Sequence, residues 1–149
     1  MLLTTISNGR ADLRIRNTVG MFVNTLALTA DIADQTVRQF LHDVSDNFDN
    51  TLQHESYPFA QVAADYDIAA EIMFAYQIGV INRYDYKGRE LGIETLELDT
   101  PKFSVAFFVK EVNGVPGIDI EYNNGRYSEA LMRQLGVSAE DFLSFEPEQ

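Results

Sequence analysis

Chemistry needs a group that can move a proton, attack carbon or hold a metal, and this chain has few. It carries two histidines and no cysteine in 149 residues. His42 lies beside Asp43, but no nucleophile is paired with them, so a solvated helix position accounts for the pair. His54 is followed by Glu55. A His-Glu pair without a second, spaced histidine is not a metal site, and a helix C-terminus suits a partly charged imidazole. Asp65 and Asp67 have the makings of an acid–base pair, yet a solvated turn explains them more cheaply. No phosphate-cradling GxGxxG or GxxxxGK[ST] occurs. No catalytic residue and no metal ligand is therefore assigned.

Two strings stand out among these ordinary groups. Gly20-Met21-Phe22-Val23-Asn24-Thr25-Leu26 sets two polar residues inside an apolar run. Burying an amide without partners costs about 1–3 kcal/mol, so Asn24 must be paired or must face a cavity. His54-Glu55-Ser56-Tyr57-Pro58-Phe59 takes the chain through an X-Pro step into new helical material.

The elements that position these strings follow from periodicity. Residues 19–28 are apolar on both pleat faces and predict a buried strand. Thr36 with Gln39 is a capping-box signature. Val37, Phe40, Leu41, Val44, Phe48 and Leu52 then share one helical stripe, predicting a helix over 36–53. Pro58 suits the first turn of a short helix with Phe59, Val62, Ala63 and Tyr66 on its apolar face. Residues 72–81 predict a second buried strand, adjacent to the first, and 91–98 a weaker one. Alternation at Phe103, Val105, Phe107 and Val109, and at Ile118, Ile120 and Tyr122, predicts a hairpin. Asn113-Gly114 and Pro116-Gly117 supply its turn chemistry. Helical material closes the chain at 128–135 and 138–145, with Gly136 ending the first piece. The pattern predicts one domain over 1–149: an α/β fold, a mixed sheet with helices packed on it.

Composition narrows the function classes. Eleven basic against 23 acidic residues give a net charge of −12, which disfavours nucleic acid and anionic membranes as partners. Apolar stretches fall short of the ~20 residues of a membrane span, and Met1 to Gly9 lack signal-peptide character. A cytoplasmic protein, or a piece of one, is expected.

In order along the chain, these strings resemble the condensation domains of nonribosomal peptide synthetases, which share the two-lobed chloramphenicol-acetyltransferase-like fold. Val19-Gly20-Met21-Phe22-Val23-Asn24-Thr25 is similar to the family's (I/V)GxFVNT, and His54-Glu55-Ser56-Tyr57-Pro58-Phe59 to its (H/N)QxYPF. Gly9-Arg10 resembles the "GR" upstream of the first motif. Ile72-Met73-Phe74-Ala75-Tyr76-Gln77 is similar to the strand xFQVMFxxQ. Phe103-Ser104-Val105 and Ile120-Glu121-Tyr122-Asn123 resemble its late strands. Two features depart from the pattern. No HHxxxDG, the catalytic signature of the family's N-terminal half, occurs, and Tyr66-Asp67-Ile68-Ala69-Ala70-Glu71 replaces RDxSRNPL.

The resemblance implies the C-terminal lobe of a condensation-type acyltransferase, without its N-terminal lobe and inactive in isolation. Its implied partners are that lobe and peptidyl carrier domains, whose phosphopantetheine arms bring two thioesters together for amide formation. It implies no cofactor bound by this lobe, and it makes Asn24 and Thr25 the cleft-facing polar residues. An exposed lobe seam is expected to promote self-association. A free-standing binding module, or a lobe of an epimerisation or cyclisation domain, remains the alternative.

Overall fold

The computed structural model describes residues 1–77, 84–91, 101–112 and 115–143. The chain divides into two compact units, Met1–Phe74 and Ala75–Gln149.

The first unit begins with a strand absent from the expected elements: β1, Leu2–Ser7. It pairs antiparallel with β2, Asn24–Thr29, from Leu2 opposite Thr29 to Ser7 opposite Asn24. Its other side runs parallel to β3, Ile72–Tyr76, with Thr4 beside Met73. The expected strands at 19–28 and 72–81 thus share a sheet but are not neighbours, because β1 separates them. Buried Thr4 escapes an unsatisfied hydroxyl by donating to the Ile72 carbonyl at 2.8 Å. Residues 19–23 are not strand. Val19 is 100% and Met21 89% exposed, and the carbonyls of Thr18 and Gly20 bond a side chain instead of a neighbouring strand.

Helix α1, Val37–Leu52, starts where the capping box places it. Thr36 Oγ1 accepts from the Gln39 amide at 3.3 Å, and Gln39 Oε1 accepts from the Thr36 amide at 3.0 Å. It packs against β2, yet none of its residues is fully buried. The apolar stripe is split, with Phe40, Val44 and Leu52 half-buried while Val37, Leu41 and Phe48 remain exposed. Helix α2, Phe59–Tyr66, follows Pro58 and also rests on β2. It ends on Asp67 in the left-handed conformation, φ 50°.

In the second unit, the Gln77 amide continues from β3 to donate to the Val109 carbonyl at 2.7 Å. Val109 belongs to β6, Val105–Val112, which forms the expected hairpin with β7, Val115–Tyr122. Phe103 precedes the hairpin rather than opening it. Pro116 and Gly117 lie within β7, opposite Glu111 and Lys110, and do not form the turn. β7 is the edge strand of the second unit's sheet, paired only with β6 among the described residues, and an edge strand tolerates a proline's missing N–H. Asn113-Gly114 lies outside the described residues. A separate small hairpin joins β4, Tyr84–Tyr86, to β5, Arg89–Leu91, through Lys87 and Gly88, both at positive φ. That backbone matches the right-handed strand twist. Of the strand expected at 91–98, only Leu91 is described, as the end of β5, and 78–81 also lie outside.

Helix α3 runs unbroken from Glu129 to Leu143. Gly136 therefore does not end a helix. It sits against β7, where a Cβ would meet Ile120 Cδ1 at an ordinary 3.4 Å. Tertiary packing here overrides the residue's stop preference. Leu26 and Met73 are buried in the first unit; Ala75, Val105, Ala106, Val109 and Met132 are buried in the second. The mixed α/β architecture agrees with the expected fold class.

Candidate functional site

The two singled-out strings meet in the first unit, at the paired ends of β1 and β2. Asn24 opens β2 opposite Ser7. Residues paired across antiparallel strands point to the same sheet face, and both side chains reach the corner after α1. The Asn24 Nδ2 amide donates to the Glu55 and Tyr57 carbonyls, each at 2.8 Å. Ser7 Oγ donates to the Glu55 carboxylate while accepting the Gly9 amide at 3.1 Å. The pairing that an amide in an apolar run must have is thus supplied by the other motif.

Thr25 occupies the next β2 position, opposite Ile6. Strand alternation turns its side chain to the sheet face opposite Asn24. The structure therefore does not bring Asn24 and Thr25 together on one wall.

Gly9 has φ +62°, and a Cβ there would stand 2.0 Å from the Phe22 carbonyl oxygen. Only glycine permits this approach. Arg10 then points into the loop that follows. Its Nη1 donates to the carbonyls of Ile15, Arg16 and Thr18 at 3.0, 3.4 and 2.9 Å, and its Nη2 to that of Gly20 at 2.8 Å. The guanidinium carbon lies 4.5 Å from the Phe22 ring centroid, within cation–π range. Sequence reasoning placed no role on Ser7 or Arg10. The "GR" string was the only signal, because carbonyl acceptors leave no residue-type signature.

Beyond the corner, Tyr57 Oη donates to Asp65 Oδ2 at 3.0 Å, and Gln61 Nε2 donates to Asp65 Oδ1 at 2.8 Å. The hydrogen bond to the Asp65 carboxylate, then partial burial and nearby charge, hold the Tyr57 phenol above its ordinary pKa. Asp65 is thus a hydrogen-bond acceptor and Asp67 a helix cap, and neither is arranged as an acid–base partner of the other.

Neither histidine is brought to this corner by a side-chain bond. His42 Nδ1 lies 3.2 Å from Asp46 Oδ2 on the exposed face of α1. His54 is exposed, one position past the helix cap, and its backbone amide donates to the Thr51 carbonyl at 3.0 Å. Among the described residues no group of three or more His, Asp or Glu is placed to hold a metal ion, and no helix is long and apolar enough to cross a membrane.

The late motifs form a second clasp, within the second unit. Val105 pairs with Tyr122, and the Asn123 amide donates to the Ser104 carbonyl at 3.0 Å. The Asn123 carbonyl then accepts from Arg126 and Tyr127, while Arg126 Nη1 donates to Ser104 Oγ at 2.7 Å.

The family model for the condensation domain matches residues 1–144. Bacitracin synthase 2 of Bacillus licheniformis is 28% identical over 136 residues, covering 85% of this chain and 5% of that protein. Malpinin synthetase of Mortierella alpina is 26% identical over 129 residues, covering 80% of this chain and 2% of that protein. Among solved structures, the first condensation domain of the calcium-dependent antibiotic synthetase, in complex with a substrate analogue, superposes with a TM-score of 0.65. It is 17% identical and is matched over 91% of this chain and 31% of its own, a likeness that bears on the fold. The chain thus spans only 5% and 2% of the length of these two curated relatives.

Proposed function

The chain belongs to the condensation-domain family, and from that membership we propose that it is the C-terminal half of a peptide-forming acyltransferase domain in nonribosomal peptide synthesis. The amine of one carrier-bound aminoacyl group attacks the thioester carbonyl of another. The new C–N bond forms as the C–S bond breaks, the carrier thiol leaves, and the amine gives up a proton. This chain has no HHxxxDG, so a companion lobe supplies the histidine, and the two lobes together enclose the phosphopantetheine arms. The work is cytoplasmic.

The observation that carries this reading is the corner itself. Gly9-Arg10, Phe22, Asn24 and the segment 54–58 are distant in sequence, resemble family motifs, and join in one bonded cluster. In this role Asn24 shapes the cleft wall by holding the corner, because its amide protons are already given to two carbonyls.

The test combines the purified chain with a companion lobe carrying HHxxxDG and two carrier proteins bearing aminoacyl thioesters, with products read by mass. Amide that requires both lobes is expected. No amide from an assembly that binds both carriers would leave the binding-module alternative, and epimerised thioester without amide would mark an epimerisation lobe.

A further inference from the structure

Residues 11–22 fold inside out. Leu13, Val19 and Met21 are 78%, 100% and 89% exposed, while the loop's carbonyls turn inward to one guanidinium. Among the described residues, little else holds the loop. Its own backbone bonds are short turns, Ile15 to Asp12, Arg16 to Leu13 and Thr18 to Ile15. The exposed Asp12–Arg14 pair closes only its first turn, at 2.5 Å. Arg10 reaches the carbonyls of residues 15, 16, 18 and 20 from a single position.

A guanidinium can do this because it is a planar, permanently charged fork of five N–H donors; a lysine ammonium is a compact point with three. The far end of the loop is then fixed twice. Phe22 lies under the guanidinium, and its carbonyl presses against Gly9, the residue just before Arg10. Phe22 stands two residues before Asn24, so whatever sets Phe22 sets the entry of β2 into the corner.

We propose that Arg10 is a positioning residue: its guanidinium is the template on which residues 11–22 close, and through Phe22 it sets Asn24 against the Glu55 and Tyr57 carbonyls. The consequence for amide formation rests on the condensation reading; the consequence for loop and corner does not.

The test compares the wild-type chain with Arg10→Ala and Arg10→Lys, with and without added methylguanidinium. Trypsin cleavage after Arg14 and Arg16 in the native chain reads the loop. The side-chain NH₂ resonances and exchange of Asn24 read the corner. Arg10→Ala is expected to speed cleavage at least about tenfold, as local opening becomes easier, and to shift the Asn24 signals towards those of a free amide. Methylguanidinium reverses both changes, and Arg10→Lys fails to. In the two-lobe assembly, kcat falls while KM for the carriers holds, since an alignment effect appears in the chemical step. Unchanged cleavage, or unchanged Asn24 signals, overturns the proposal. A loosened corner with wild-type kcat overturns its catalytic part. If the wild-type assembly makes no amide, the condensation reading fails, and the loop and corner measurements still decide the role of Arg10.

Discussion

Ser7 and Asn24 face each other across the β1–β2 pair, and both hold the same corner of the chain. One donates to the Glu55 carboxylate and the other to the Glu55 and Tyr57 carbonyls. The sheet end and the helix exit are therefore one mechanical piece. Its fixed point is a strand register, in which a one-residue slip would turn every side chain to the other face.

Asn24→Ala removes both carbonyl bonds at once. A net hydrogen bond contributes about 0.5–1.5 kcal/mol, so the expected loss is about 1–2 kcal/mol, because the site is only half-buried and water partly replaces the amide. For a chain of this size that lowers Tm by roughly 3–6 °C. Thermal unfolding followed by circular dichroism checks it, and a change within about 1 °C would show that the corner stands without Asn24. Amide formation by the two-lobe assembly should fall with it.

Two glycine-to-alanine changes should act in opposite directions. At Gly9 the new Cβ meets the Phe22 carbonyl and the backbone is left-handed, so the cost is at least about 2 kcal/mol. At Gly136, inside α3, the Cβ meets only Ile120 Cδ1 at contact distance. There alanine gains helix propensity of about 0.5–1 kcal/mol. Urea midpoints of the two variants, measured side by side, should lie on either side of the wild type.

The same positions show what was legible in the sequence. The Thr36–Gln39 box is a local code that the structure reads as written; the alternation of β6 and β7 gives the hairpin, but not its ends, since Phe103 falls before β6 and Pro116-Gly117 lie within β7. Gly136 carries a local stop signal that packing against Ile120 overrides. β1 was missed because Leu2-Leu3-Thr4-Thr5-Ile6-Ser7 doubles its apolar and polar residues instead of alternating them, and its threonines are buried on bonds such as that from Thr4 to Ile72. Residues 19–23 looked like strand because apolar side chains usually seek a core. Here Arg10 takes the carbonyls and leaves those side chains in water. Asn24 and the 54–58 corner were each recognisable as strings, but their meeting depends on strand register and has no local code.

Tyr57 carries a pH signature. Its phenol pKa is raised by the bond it donates to Asp65. A raised phenol pKa means that the folded state retains a proton the unfolded state has released. The contribution is thus fully present below the unfolded value near 10 and is lost as pH rises through the folded one. The wild type should therefore be more stable than Tyr57→Phe below about pH 10, and the difference should shrink as pH rises through the folded value, because phenylalanine has no bond to lose. The difference in tyrosinate absorbance between the two proteins should show one phenol titrating above the ordinary range. A phenol titrating at its ordinary value would mean that the Asp65 bond is absent in solution.

Val37, Leu41 and Phe48 leave an apolar strip on α1, while the chain carries a net charge of −12. Apolar association and charge repulsion oppose one another, and salt screens only the second, with a Debye length of about 10 Å at 0.1 M. Self-association should therefore strengthen from 50 to 500 mM NaCl in sedimentation velocity. Leu41→Lys should weaken it, although it reduces the net charge. Association that falls with salt would point to an electrostatic contact instead.

The chain alone should catalyse no amide formation. Condensation needs two thioester arms aligned within reach of one another, a polar group or base beside the attacking amine, and exclusion of water. His42 pairs with Asp46 on a solvated helix face, and His54 lies exposed after the helix cap, so neither ring is fixed against a second partner. Asn24 has already given both amide protons to the corner. Alignment alone supplies about 7–11 kcal/mol in favourable systems, and an unenclosed surface forfeits most of it. Incubating the chain with both charged carrier proteins should give amide at the rate of the protein-free control. Product above that rate, abolished by His42→Ala or His54→Ala, would instead make this chain an enzyme in its own right, with its base on the exposed end or face of α1.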